Sequence, residues 1–140
     1  MKTTFEEEIA RTGMLIYTNT GYSMYPLIRQ SRDIIMIGKP DGKLKKYDIP
    51  LYKRDNGQYV LHRIIKVRKD DYVLCGDNCY TKEYGVKDED IIGVLISLVR
   101  DGKEVDFNSF RYKIYVFLWC TLFPVRANIL KLKHFVKKYK

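Results

Sequence analysis

Hydrophobic and polar positions alternate in two different ways along the chain. Near the start, FEEEIART carries apolar residues at helical spacing, with three glutamates at its N-terminal end and a glycine, Gly13, after it. This predicts a short helix capped by Thr3 or Thr4. MLIYTNT then reads as a strand leading to Gly21. From residue 33 to 107 the segments DIIMIG, IPLYK, QYVLHRIIKV, DYVLC and IIGVLISLVR are rich in β-branched and aromatic residues. Asn56-Gly57, Lys69-Asp70-Asp71 and Asp101-Gly102 lie where hairpin turns are needed. The prediction is a mainly β fold: a coiled antiparallel sheet or partial barrel, with a short N-terminal helix and C-terminal helices.

The last 30 residues change character. YKIYVFLWCTLFPV is apolar almost all round, and RANILKLKHFVKKYK is amphipathic. In the second stretch Ile129, Leu132, Phe135, Val136 and Tyr139 share one helical face, with Lys131, Lys133, Lys137, Lys138 and Lys140 around it. The organisation read here is a body over 1–110 and an extension over 111–140.

Charge sharpens that division. The body holds 18 Lys+Arg against 17 Asp+Glu, and the extension holds eight basic residues and no acid, so nearly all of the +9 net charge lies in the extension. A neutral body with a basic end is not a diffuse nucleic-acid binder, and no nucleic-acid partner is expected. An anionic membrane surface is the partner expected for 111–140, with the apolar run Ile114–Val125 too short to span. The competing reading packs both segments on the sheet as helices, with Phe117 and Trp119 inside. The N-terminus lacks the apolar core of a signal peptide, so a cytoplasmic protein, peripheral at the inner membrane face, is expected. Cys75, Cys79 and Cys120 form no disulfide framework or zinc spacing, and no metal or cofactor is expected.

Three short stretches carry candidate chemistry. In GYSMYPLI, Ser23 is either the N-cap of a short helix, with Pro26 in its first turn, or a serine held for chemistry. His62, in VLHRIIKV, is the only histidine in the body. Strand alternation turns it away from the face of Tyr59, Leu61, Ile65 and Val67, toward an edge or groove. In LCGDNCYTKEYG, Asp77 is either a turn residue or an acid beside a base. Spacing alone does not bring the three together.

In order, GYSMYPLI, DIIMI, YDIPLYKR, VLHRIIKV, CGDN and DIIGVL resemble the S24/S26 serine peptidases, the superfamily of type I signal peptidases and LexA-type self-cleaving repressors. The resemblance covers about residues 14–96, and a histidine in place of the usual lysine places it nearest the Ser/His branch. It implies the signal peptidase/LexA type of fold and a serine endopeptidase that takes a peptide or precursor segment as an added strand. Ser23 would be the nucleophile and His62 the general base, working above the imidazole's reference pKa of about 6.5. Asp77, or Glu83 six residues on, would orient the base. Met24, Tyr25 and Pro26 would line the substrate cleft, Met24 as an apolar wall. Arg32 and Tyr47 stand where the family's turns carry glycine. Two other classes remain open. One is a catalytically silent fold of this type acting as a peptide-binding or membrane-associated module. The other is a LexA-like regulator.

Overall fold

The computed structural model describes residues 4–18, 21, 23–29 and 32–138. Tyr139 and Lys140 of the amphipathic pattern, and Thr3 as a cap, lie outside the described residues. Helix α1 (Phe5–Thr12) starts at Thr4, whose hydroxyl accepts from Glu7 N while Glu7 reaches back to Thr4 N. Among the described residues nine strands follow: β1 (Met14–Thr18), β2 (Ile34–Gly38), β3 (Pro50–Lys53), β4 (Tyr59–Leu61), β5 (Arg63–Val67), β6 (Tyr72–Cys75), β7 (Glu83–Val86), β8 (Ile91–Arg100) and β9 (Lys103–Glu104). Helices α2 (Phe110–Thr121) and α3 (Phe123–Lys138) close the chain.

All strand pairs are antiparallel. One sheet runs β1-β2-β8-β3-β4 with β9 beside β8, and the other runs β5-β6-β7. Register shifts between Met36 and Ile37, Leu51 and Tyr52, and Ile64 and Lys66 bend them into a curled half-barrel. Ile9, Leu15, Ile35, Ile37, Leu51, Leu95 and Leu98 belong to one apolar core, formed largely by α1 and the first sheet. Tyr52, Val60, Ile64, Tyr72, Leu74 and Val86 form a second.

The structure departs from the sequence pattern at one decisive place. QYVLHRIIKV is two strands, not one, and it breaks at His62. β4 pairs with β3 in the first sheet, while β5 pairs with β6 in the second. His62 therefore sits at the seam between the sheets. It is buried, 8 % exposed, rather than at an edge. A further strand, β7, forms from the polar TKEYG region, which carries no apolar alternation.

The last two helices are tied to the body. On α2 the inward residues are Tyr112, Tyr115, Val116 and Trp119, whereas Phe117 points out. No single described helix is long and apolar enough to cross a membrane. Together α2 and α3 pass that test by length and composition, but they bend by 74°.

Candidate active site

The segment from Ser23 is a tight turn, not the start of a helix. Ile28 N donates to Met24 O at 2.9 Å, and the side chains of Met24 and Ile28 are fully buried. Met24 therefore cannot be an open wall of the cleft: it is core, and its sulfur accepts from Asp77 N at 3.4 Å. Tyr25 and Pro26 remain at the surface, beside an apolar trough of about 280 Å³ that Asn78, Leu118, Trp119 and Ile129 also line. The far end of the turn is braced by Asp33, fully buried, which accepts from Arg29 N at 2.8 Å and from both ends of the Arg100 guanidinium.

The turn, His62 and the loop after β6 converge. Asn78 N donates to Ser23 O at 2.8 Å. Cys79 Sγ lies 3.9 Å from Ser23 O and 3.9 Å from His62 Nε2. Gly76 is where the three pack most closely: a Cβ there would stand 2.5 Å from Ser23 O, 2.7 Å from Cys79 Sγ and 3.0 Å from His62 Cδ2. Only glycine fits that contact without a shift in its neighbours. Among the described residues, no hydrogen bond joins the Ser23 hydroxyl to His62; the imidazole nitrogen Nε2 faces the Cys79 thiol.

The two acids expected near the base are placed differently. Asp77 is buried and its carboxylate is occupied: Arg63 donates Nε to Oδ1 and Nη2 to Oδ2, both at 2.9 Å, and Tyr115 donates to Oδ2 at 2.7 Å. It holds the loop and makes no hydrogen bond to His62 among the described residues. Glu83, at the start of β7, approaches the base through Tyr52. The Tyr52 hydroxyl donates to Glu83 Oε2 and lies 3.4 Å from His62 Nδ1. A hydroxyl has one proton. Given to Glu83, it leaves the Tyr52 oxygen only able to accept from the ring, which puts the imidazole proton on Nδ1 and a lone pair on Nε2.

Electrostatics agree with a neutral ring. Burial pulls the His62 pKa down to about 4, against the opposing charge of Glu83. Burial works against ionisation of Glu83, but hydrogen bonds from Arg54 and Tyr52 hold its carboxyl below the ordinary range. Burial also raises the Cys79 thiol. The His62 ring thus stays neutral well below its reference pKa of about 6.5.

Tyr52, Arg63, Cys79, Tyr115, Trp119 and Arg126 were not legible as site residues. Arg126 is buried and gives Nη1 to the carbonyls of Gly76, Asp77 and Cys79 at 3.2, 2.7 and 3.2 Å. Trp119 Nε1 donates to Asp77 O at 2.7 Å. The one available signal was Arg63, a charge inside an apolar strand that needs a buried partner. Among the described residues no cluster of His, Cys, Asp and Glu could hold a metal ion. No family model, no curated protein and no solved structure matches the chain.

Proposed function

We propose that the protein is a serine endopeptidase of the signal-peptidase-like S24/S26 type, with Ser23 as nucleophile and His62 as general base. The observation that carries the reading is the meeting of the Ser23 turn, the seam histidine and the Gly76–Cys79 loop, three segments distant in sequence and packed within van der Waals contact. The sheet order adds to it. β1, which leads toward Ser23, and β4, which runs into His62, are the two end strands of the five-strand path. A peptide laid along either end strand gains main-chain hydrogen bonds and presents a carbonyl near the site.

In the reaction, Ser23 Oγ adds to the scissile carbonyl as its proton passes to His62 Nε2. The proton then goes to the departing amine, and water releases the acyl group by the same route in reverse roles. Tyr52 and Glu83 act as positioning residues, since they fix the ring tautomer and do not touch the substrate. The Cys79 thiol must yield its place at Nε2 when Ser23 engages.

That thiol favours a second reading, in which Cys79 is the nucleophile on the same base. Incubation with a peptide library, read by mass spectrometry, separates the two. Under the serine reading, Ser23→Ala and His62→Ala each abolish cleavage, and a fluorophosphonate probe labels Ser23 alone. Cleavage retained in Ser23→Ala and lost in Cys79→Ala transfers the role to the thiol. Peptide binding without cleavage or labelling leaves a silent binding module.

A further inference from the structure

α2 and α3 divide their residues sharply between two directions. The inner side of α2 packs on the body. Its outer side carries Phe110, Ile114, Phe117, Leu118 and, just beyond its end, Leu122, with Phe110 78 % and Phe117 60 % exposed. On α3, Arg126 and Ala127 are buried, while Val125, Ile129, Leu132 and Val136 are exposed at spacings of four, three and four. Those spacings make one continuous strip along the helix. Lys133 flanks the strip on one side with Lys137 beyond it, and Lys131, on the other side, stands 5.8 Å from the centroid of the Tyr80 ring; all three are exposed. Large apolar side chains left exposed along one strip mark an interaction surface.

Charge identifies what covers it. No acid occurs from residue 111 to the end, against eight basic residues, and the body is close to neutral. A second copy docked on this face would bring two such surfaces together with nothing to neutralise them. An anionic bilayer supplies both an apolar layer and the opposite charge. No single described helix spans: the 12 residues of α2 extend about 18 Å against a hydrocarbon core of about 30 Å, and the pair that together has the length bends by 74° between its halves.

We propose that α2 and α3 form a platform that seats the protein on an anionic membrane surface. The apolar strip enters the acyl boundary and the flanking lysines meet the headgroups. The platform is not a loose tether. Tyr115, Trp119 and Arg126 fasten it to the Asp77 loop, so the bilayer plane is fixed relative to the Ser23 turn. The trough lined by Pro26, Leu118 and Ile129 opens between the two. The inference does not depend on the peptidase reading.

The test is cosedimentation of the full chain with phosphatidylcholine vesicles and with vesicles containing phosphatidylglycerol, at low and high salt. Binding to the anionic vesicles exceeds binding to the neutral ones by at least about tenfold at low salt. Lys131→Gln/Lys133→Gln/Lys137→Gln weakens it by about a hundredfold, from about fivefold per lysine. Leu132→Asp/Val136→Asp weakens it by at least about tenfold with an unchanged Tm. Indifference to both vesicles overturns the proposal. So does binding that salt removes but the aspartates leave intact, which is adsorption by charge alone. A dimer that the aspartates dissolve and that ignores vesicles also overturns it, and assigns the face to a second copy.

Discussion

Asp77 and Glu83 are six residues apart and flank the same histidine, yet they are built for different tasks. Asp77 is sealed between Arg63, Tyr115 and the loop backbone. Glu83 is half-buried, shared between Arg54 and Tyr52, and reaches His62 through one hydroxyl. Removing one partner of a buried pair strands the other charge, whereas altering a half-exposed acid disturbs mainly what it points at. Asp77 is thus a matter of folding, and Glu83 bears on the His62 ring.

The widest separation should come from stability. Asp77→Ala loses about 3–5 kcal/mol in urea unfolding, because Arg63 is left buried and unpaired. Glu83→Gln stays within about 1 kcal/mol by the same measurement, as expected for a partly exposed pair. Equal losses would dissolve the comparison. Gly76→Ala comes next, at about 1–3 kcal/mol, since the added methyl meets backbone at 2.5 Å and not a flexible side-chain tip.

Under the proposed peptidase reading, Glu83 acts on the rate through His62. Tyr52→Phe and Glu83→Gln each lower kcat about 10- to 100-fold with KM little changed, because the ring loses its tautomer control. The acid limb of kcat/KM gives a finer readout. With His62 pulled down to about 4, activity is already near its plateau by pH 6 instead of climbing through 6.5. Glu83 opposes that depression, so Glu83→Gln moves the limb to still lower pH. A purely structural role would leave it in place. The same depression ties His62 to stability: unfolded chains bind its proton below about 6.5 and folded ones do not until about 4. Its contribution is complete above that window and is lost as pH falls through it.

The smallest effect concerns Tyr47, whose carbonyl accepts from Arg63 while its φ is 79°. That left-handed conformation penalises a side chain. Tyr47→Gly relieves it and leaves the carbonyl in place, for a net gain of about 0.5 kcal/mol in thermal unfolding after the entropy cost of glycine. A loss would mean that the Tyr47 ring contributes more than its backbone strain costs.

Much of the architecture was readable because it rests on local regularities. Runs of β-branched and aromatic residues located β2, β3, β6 and β8, and Thr3 or Thr4 with Gly13 bounded α1. What escaped depends on distant partners. Nothing in Leu-His-Arg signals that a strand ends there, since the break comes from β4 and β5 joining different sheets. β7 follows from pairing with β6, not from its own polar residues. The site shows the same limit. Ser23, His62 and the Asp77 loop were visible as unusual residue types. Met24 looked like a cleft residue because burial depends on the loop that closes over it. The Tyr52 link was hidden because a tyrosine in IPLYK is an ordinary strand residue until His62 and Glu83 are placed beside it.

Arg126 grips its loop by main-chain oxygens alone, those of Gly76, Asp77 and Cys79. This contact reads the length and shape of the loop, not the side chains displayed on it. Asn78 and Cys79 are therefore free, as far as this clasp is concerned, to change side chain without loosening it. One residue inserted between Gly76 and Cys79 would throw the three oxygens out of step, so this stretch can drift in composition but is locked in count.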